Sequence, residues 1–433
     1  MKLRPFELVL LTLFAVIGLI ALGLLATYRP AGDSTGSVIS SPVVIWGTVS
    51  ASAFEGMLRS LREADESYRF VSYQQKDPLS FDLELLNALA ESRGPDVVLL
   101  PHDRLVQHRS KILPIAYDSY PRRDFQNSFI DGSEIFMLQD GVYGIPVMVD
   151  PLMLYWNRDL LSTFGFIAPP NTWEKIVNEI IPQTVNRDFN RNIIRSPLAF
   201  GEYRNVRNAY EVLSLLLLQG GSNLVQETET SYRVDVNNST LGNPSPLTNA
   251  LSFYTGFANP SNSLYTWNRS LPEDRSHFIS EQLILYFGKG SEARGIAAQN
   301  PNLNFDIAEV PQGATSNIRR TYGTFYGFSL LRSSENRAGA YAVMQELAQP
   351  GNAQQLVDAL GMAPAHRSTL VAGSNDRYGR LIYSSAVVAR GWLNPTRSQV
   401  DDIFVQSIED ILANRRRPSE AASDVAGRLR LEY

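Results

Sequence analysis

Short apolar runs alternate with helical repeats through the first quarter of the chain. Residues 43–46 (VVIW) form a continuous apolar run typical of a buried strand, and residues 51–65 place Phe54, Leu58 and Leu61 at helical spacing. Residues 69–73 alternate like a second strand, residues 79–91 repeat the helical spacing, and residues 95–100 (PDVVLL) indicate a third strand. This order of elements predicts a parallel sheet with right-handed crossovers.

A second α/β pattern begins after residue 150. Residues 198–200, 283–287 and 304–310 are typical of strands, and a strongly apolar helix containing Leu213 and Leu217 ends at Gly220. Residues 400–412 carry apolar side chains along one face of a C-terminal amphipathic helix. Because 433 residues exceed what one hydrophobic core usually organises, we expect two domain-sized bodies.

The N-terminal segment differs from both patterns. Residues 8–26 contain no charged side chain and would form a helix of about 28 Å, close to the ~30 Å of a hydrocarbon core. Lys2 and Arg4 precede this run, which favours a cytoplasmic N-terminus and an exported body. We expect a cytoplasmic stub and uncleaved membrane anchor in residues 1–28 and a tether in residues 29–42. Cleavage as a signal peptide remains the alternative.

The composition excludes several classes of function. The chain contains no cysteine, which rules out disulfides, thiol catalysis, iron–sulfur clusters and a lipid-modified N-terminal cysteine. The four histidines form no metal-binding motif, so we expect no metal site and no cofactor. The formal net charge of -5 makes nucleic acid an unfavourable partner.

Polar and aromatic side chains follow the three strands of the first predicted sheet. These strand ends read Trp46-Gly47-Thr48, Gln74-Gln75 and His102-Asp103-Arg104. In open α/β sheets, ligands bind beyond the carboxyl ends of the strands. We therefore expect an aromatic ring, two amides, a carboxylate and a guanidinium to face one crevice.

Five segments resemble one known family. They are PDVVLLPHDRL (95–105), YGIPVMVDPLMLYWNRDLL (143–161), PPNTWEKI (169–176), QNPNLNFDIAEVPQ (299–312) and TYGTFYGFSLLRSSENRAGAYAVMQELAQP (321–350). In this order they are similar to segments of the extracellular solute-binding proteins of ABC importers, in the group that includes maltose-binding protein. The likeness extends over nearly all of residues 43–425.

The resemblance implies a fold and a domain organisation. It implies an α/β, periplasmic-binding-protein-like fold of type II, in which each of two lobes is a sheet flanked by helices. Lobe one would comprise residues 43–148 and 310–365, and lobe two residues 149–309 and 366–433. A solute would lie between the lobes, which would close by a hinge motion that the importer permease recognises.

The resemblance also indicates ligand-binding residues. Asp103 and Arg104 match the family's sugar-binding pair, and Asp150 matches the carboxylate at its hinge. Sugars need flat aromatic rings for their C–H faces and carboxylates, amides or arginine for their hydroxyls. On these grounds we expect further ligand contacts from Trp46, Tyr203, Trp267, Tyr326 and Trp392. Each residue also has a structural alternative, as a turn cap, a solvated side chain or a packed core ring.

The function that the sequence predicts is solute capture. We expect a membrane-anchored, extracellular or periplasmic protein that binds a mono- or oligosaccharide and delivers it to ABC transporter permease subunits. A polyol or a glycerol phosphodiester remains open as the solute. A surface-displayed binding or adhesion module is the alternative. We do not expect an enzyme, because no nucleophile motif, phosphate loop or metal set is present.

Overall fold

The structure of the protein, a computed structural model, describes residues 39–190, 192–221, 224–229, 231–237 and 245–433. The predicted membrane anchor in residues 1–28 and most of the predicted tether lie outside these residues. Among the helices that are described, none is long and apolar enough to span a bilayer.

The described residues form strands, α-helices and short helical turns. The strands are β1 (Val43–Gly47), β2 (Val71–Gln75), β3 (Val97–Pro101), β4 (Met137–Leu138), β5 (Gly141–Val142), β6 (Ile145–Asn157), β7 (Asn186–Arg187), β8 (Ile193–Leu198), β9 (Val225–Glu227), β10 (Tyr232–Val234), β11 (Leu283–Lys289), β12 (Phe305–Ala308), β13 (Thr321–Leu330), β14 (Ala363–Pro364) and β15 (Ala389–Arg390).

The α-helices are α1 (Ala51–Ala64), α2 (Phe81–Ala90), α3 (Leu105–His108), α4 (Arg122–Ser128), α5 (Arg158–Thr163), α6 (Trp173–Lys175), α7 (Ile181–Thr184), α8 (Ala209–Gln219), α9 (Pro246–Gly256), α10 (Asp274–Ile279), α11 (Glu292–Gln299), α12 (Arg337–Leu347), α13 (Pro350–Leu360), α14 (Arg367–Ala372), α15 (Gly379–Val388), α16 (Arg397–Leu412) and α17 (Pro418–Leu431). Short 3-10 turns span Glu66–Phe70, His102–Arg104, Arg109–Lys111 and Asp131–Phe136, and Ile176–Ile180 is a π-helical turn.

The predicted parallel sheet is present at the start of the described chain. β1 pairs in parallel with both β2 and β3, which confirms the strand–helix–strand–helix–strand prediction. The second strand begins at Val71 instead of residue 69. The residues before it form a 3-10 turn because the Asp65 side chain accepts the backbone N–H of Ser67 and caps that turn.

The long strand β6 connects two halves of one sheet. All thirteen of its residues are buried. Residues 145–151 pair with β13, and residues 152–157 pair with β11 and β12. We call β1, β2, β3, β13 and β14, with residues 145–151, the first half of the sheet. The second half is β7, β8, β11 and β12, with residues 152–157.

Helices α8 and α16 bring charged side chains to the junction of the two halves. Helix α8 follows β8 and packs against α9 and β13, and α16 packs against α9 and α17. The buried face of α16 includes Val400, Ile403, Phe404 and Ile408, which confirms the predicted amphipathic helix. The strand expected at residues 198–200 ends at Leu198 instead. There the Leu198 carbonyl accepts the hydroxyl of Thr266, and the chain leaves the sheet.

Candidate functional site

An ion pair between Asp103 and Arg397 links the two halves of the sheet. Asp103 lies in the 3-10 turn that follows β3, and only 5% of its surface is exposed. Its Oδ2 accepts a hydrogen bond from Nη1 of Arg397 at 3.0 Å, while its Oδ1 has no hydrogen-bond partner. Arg397 is the first residue of α16. A strand end of the first half therefore contacts a helix that also bonds to Tyr203 and Arg204 in the loop after β8.

Arg397 contacts two further carboxylates and one ring. Its Nε donates to Oδ2 of Asp401 at 3.1 Å, one helical turn along α16. Its Nη2 lies 3.6 Å from Oε1 of Glu211, and its guanidinium carbon lies 3.6 Å from the centroid of the Tyr210 ring. Three carboxylates and an aromatic face thus fix the orientation of this guanidinium.

Glu211 and Lys289 continue the charged network. Glu211 is 3% exposed within the apolar helix α8, and its Oε1 lies 3.2 Å from Nζ of Lys289 at the end of β11. Its other oxygen, Oε2, has no hydrogen-bond partner. Burial by itself would raise the pKa of Glu211, but the charges of Lys289 and Arg397 outweigh burial and hold the pKa below its ordinary value. Glu211 is therefore ionised at neutral pH.

Asp150 lies on β6 beside the point where this strand passes between the two halves. It is 2% exposed, and its two oxygens accept the backbone N–H of Ser291 at 3.0 Å and the Ser291 hydroxyl at 2.6 Å. Burial raises the pKa of Asp150 to about 6, and the nearby Lys289 opposes this shift. Asp150 is thus a buried carboxylate that carries its charge at neutral pH.

The electrostatics of Asp103 and His102 differ although the two residues are adjacent. Burial alone would raise the pKa of Asp103, but the charges of Arg397, Lys289 and Arg104 together outweigh burial and lower the pKa. Burial lowers the pKa of His102 to about 4, so its imidazole is neutral. Its Nδ1 accepts the backbone N–H of Phe325, and a Cβ on Gly391 would lie 2.2 Å from its Nε2. Glycine at residue 391 is required by this close approach.

A pocket of about 500 Å³ opens beside Arg397. Tyr203 and Tyr210 supply aromatic rings, Arg397 and Asp401 supply charges, and the Tyr203 hydroxyl donates to Oδ1 of Asp401 at 2.5 Å. This volume lies within the range of small-molecule sites. The remaining lining residues are Arg204, Val206, Arg207, Glu273 and Val405. The pocket therefore combines the flat rings and bidentate polar groups that a carbohydrate requires.

Two of the other predicted residues belong to the same region. Tyr203 lines the pocket. Tyr326 is half-buried on β13, and burial raises the pKa of its hydroxyl to about 12 while the charge of Lys289 opposes the rise. The structure therefore brings Asp103, Asp150, Tyr203 and Tyr326 into one neighbourhood.

Arg104 has a different position from the one expected. Its Nη1 donates to Oδ1 of Asp82 at 3.0 Å and its Nη2 to the carbonyl of Pro78 at 2.6 Å, both on the side of α2. The adjacent Asp103 instead bonds to Arg397. Arg104 therefore braces the turn after β3, and Arg397 takes the place that we expected for it beside Asp103.

The three expected tryptophans are packed side chains in the structure. Trp267 is fully buried, and its Nε1 donates to Oδ1 of Asn205 at 3.2 Å, so it is a core residue and not a stacking surface. Trp46 is 7% exposed, has the Lys76 ammonium 3.7 Å from its ring centroid, and does not line the pocket.

Trp392 is buried too, but it lies directly behind the pocket. Its Nε1 donates to Oγ of Ser214 at 3.0 Å, and its ring stacks on Tyr210 with the centroids 5.9 Å apart. Because only 3% of it is exposed, Trp392 supports a pocket-lining ring instead of presenting its own face. This corrects the expectation of direct stacking on a solute.

Four charged residues of the site were missed in the sequence. They are Glu211, Lys289, Arg397 and Asp401. Two of them leave a signal that could have been used, because Glu211 is the one charged residue in the apolar helix AYEVLSLLLLQ, and Lys289 stands between two glycines at a strand end. Arg397 and Asp401 have only the i, i+4 spacing of an ordinary surface pair.

In the part of the chain that the structure describes, no group of three or more histidine or carboxylate side chains is arranged to hold a metal ion. The carboxylates of the site are instead bound by Arg397, Lys289 and Ser291.

Comparisons with known proteins agree on one family. A family model described as bacterial extracellular solute-binding protein matches residues 84–371, more than half of the chain. A protein of Brucella abortus (strain 2308), named only as a binding protein, is 20% identical over 325 residues, which cover 72% of this chain and 73% of that protein.

Solved structures share the fold. A cyclo/maltodextrin-binding protein complexed with maltotetraose has a TM-score of 0.69 at 16% identity, covering 90% of this chain and 96% of that one. The GacH receptor of Streptomyces glaucescens, solved unliganded and with acarbose, also has a TM-score of 0.69 at 16% identity, covering 91% and 98%. These matches establish an α/β solute-binding-protein fold.

Proposed function

The chain belongs to the bacterial extracellular solute-binding protein family, and we propose that it captures a carbohydrate between the two halves of its sheet and delivers it to the permease of an ABC importer. Members of this family are binding proteins, so the chain is a binding protein and not an enzyme.

The Asp103–Arg397 ion pair is the observation that carries this proposal. It brings a strand end of the first half within 3.0 Å of α16, a helix that also contacts Tyr203 in the loop after β8, beside a pocket that Tyr203 lines. A solute placed there would contact both halves at once. Contacts with both halves are what a ligand needs in order to favour a closed arrangement over an open one.

Carbohydrate is the solute class that the side chains favour. Tyr203 offers aromatic surface, while Asp401, Arg397 and the neighbouring Asp103 offer charged hydrogen-bonding groups. The structural neighbours named above were solved with maltotetraose and with acarbose. A glycerol phosphodiester is less favoured, because the carboxylates of the site would repel its negative charge.

The rest of the proposal concerns organisation and location. The two lobes would comprise residues 43–148 with 310–365 and residues 149–309 with 366–433, and they would close about β6 and β13, which pair with each other at the junction. The family, described as extracellular, supports a body outside the cytoplasm. Residues 8–26 would hold that body at the membrane.

A calorimetric panel tests the proposal. The full chain, purified in a mild detergent, is titrated with monosaccharides, maltooligosaccharides, polyols and a glycerol phosphodiester. We expect a saccharide to bind, and we expect Asp103→Ala to weaken that binding at least about tenfold, equivalent to about 1.4 kcal/mol.

The matched control is Asp410→Asn. Asp410 is also a buried carboxylate bound by arginine, but it lies near the opposite end of α16 and contacts Arg415 and Arg416. This variant should bind like the wild type. A panel in which no saccharide binds would refute carbohydrate capture, and wild-type affinity in Asp103→Ala would refute this pocket.

A further inference from the structure

The charges of the site do not balance. Four carboxylates and two cations meet at the junction of the two halves, and we call them the charge cluster: Asp103, Asp150, Glu211, Asp401, Lys289 and Arg397. His102 adds no charge because burial keeps its imidazole neutral. With all six groups ionised, the cluster carries two negative charges in excess.

The surrounding charged side chains do not remove this excess. Those nearest to the charge cluster are already paired with an opposite charge: Arg104 with Asp82, Arg275 with Glu292, Arg204 with Glu409, and Arg207 with Glu273. Each of these pairs is neutral as a unit. With all four carboxylates ionised, the two excess charges remain within a largely buried region, where uncompensated charge is costly, and burial accordingly raises the pKa of Asp150 and of Asp401.

Two oxygens in the charge cluster also lack donors. Oδ1 of Asp103 and Oε2 of Glu211 have no hydrogen-bond partner, although the two residues are only 5% and 3% exposed. A buried carboxylate oxygen without a donor costs free energy. Both carboxylates contact the same guanidinium, that of Arg397, which also lines the pocket.

We propose that the solute is a saccharide with a protonated amino group, which Asp103 and Glu211 recognise. This inference rests on the carbohydrate-binding function proposed above and specifies its solute. A neutral hydroxyl could satisfy the hydrogen bonds, but it would leave the two excess charges in place. A protonated amine supplies donors and positive charge together, which makes its hydrogen bonds to carboxylates charge-assisted. An acidic or phosphorylated sugar would add to the negative excess.

Paired ligands that differ only in charge test the inference. Glucosamine oligomers and their N-acetylated counterparts of equal length have the same sugar backbone, and acetylation removes the positive charge. Calorimetry on the full chain in detergent, at a pH below the pKa of the amine, should show at least about tenfold tighter binding of the amino form. The preference should disappear above the pKa of the amine, because the amine is then neutral. Asp103 and Glu211 are ionised at both pH values, so the change reports the charge of the amine.

Variants then test which residues produce the preference for the amino form. Glu211→Gln should reduce the ratio of the two affinities several-fold, and Asp401→Asn provides a second test if the first variant unfolds. Asp410→Asn, outside the charge cluster, should keep the ratio of the wild type. Equal binding of the two forms, or an unchanged ratio in both cluster variants, would overturn the inference while carbohydrate binding stands. Failure of every saccharide to bind would overturn the proposed function as well.

Discussion

Two polar contacts join the segment that follows β3 to distant parts of the chain, and they differ in how completely their groups are paired. In the first, Asp103 and Glu211 approach Arg397 and each retains a free, buried oxygen. The second lies at Arg109, in the 3-10 turn after α3, which contacts the β9–β10 hairpin.

The Arg109 contact is fully paired. Its Nη1 donates to the Tyr232 hydroxyl at 2.9 Å and lies 2.7 Å from Oε1 of Glu227, and its Nη2 donates to Asp140 at 3.0 Å. The second oxygen of Glu227 accepts the backbone N–H of Gln139 at 2.8 Å. A contact in which every carboxylate oxygen has a donor is suited to hold two surfaces together. The contact at Arg397 still has acceptors for another molecule.

Replacing the central arginine of each contact should give the largest difference in stability between the two contacts. Arg397→Ala leaves the buried Asp103 and Glu211 with Lys289 as their remaining nearby cation, so we expect the free energy of unfolding to fall by about 3–5 kcal/mol. Arg109→Ala acts on a partly exposed network and should cost about 1 kcal/mol. Urea unfolding measures both, and an equal or larger loss in Arg109→Ala would contradict the comparison.

Asp150 of the charge cluster and Asp140 of the Arg109 contact should respond to pH with opposite sign. The pKa of Asp150 is raised from 3.8 to about 6, so the folded state binds a proton more readily than the unfolded state between these values. Ionised Asp150 therefore lowers stability as the pH rises from about 4 to about 6. The difference in unfolding free energy, wild type minus Asp150→Asn, should fall by about 3 kcal/mol over that range.

Asp140, at the Arg109 contact, provides the opposite case. Burial tends to raise the pKa of Asp140, but the Tyr143 hydroxyl and Arg109 outweigh burial and lower it. Its contribution to stability is present at neutral pH and is lost as the pH falls through the lowered pKa. The difference in unfolding free energy, wild type minus Asp140→Asn, should therefore be constant near neutral pH and decrease only in the acid range. A profile for Asp150→Asn parallel to that of the wild type would refute the assignment of the raised pKa to Asp150.

The smallest expected effect is that of replacing Trp267, which tests whether this tryptophan is a core residue or contacts the solute. Trp267→Phe keeps a buried ring but loses the hydrogen bond to Asn205, which should lower the free energy of unfolding by about 1 kcal/mol and leave solute affinity unchanged. Trp392→Phe is the comparison variant next to the pocket. It loses the hydrogen bond to Ser214, and its ring stacks on the pocket-lining Tyr210. Weaker solute binding in Trp267→Phe would restore a role for it at the site.

The local elements of this fold could be predicted because their signals are local. The spacing of apolar residues predicted β1, α1, α2 and β3 to within a few residues, because each of these elements buries apolar side chains of one short segment. The 3-10 turn Glu66–Phe70 was missed because it depends on one side-chain cap at Asp65. The divided pairing of β6 was not evident from its largely apolar sequence, because either partner sheet would bury its apolar residues equally well.

The site could be predicted only in part, for a related reason. Asp103 and Asp150 follow or lie on strands, so their positions could be inferred from strand order and from the family resemblance. Arg397 could not, because it lies 294 residues from Asp103 and meets it through the packing of α16 on α9. For the tryptophans, residue type alone does not distinguish a buried ring with a bonded N–H from a ring that faces a solute.

The sequence by itself determined the class of the protein, since apolar periodicity, the absence of cysteine and five motifs in order require no knowledge of distant contacts. Tertiary structure alone decided which charges meet at the junction of the two halves. The pKa values of Asp103, Asp150 and Glu211 depend on burial and on cations from distant segments. Coulombic coupling depends on distance in space, and distance along the chain does not specify it.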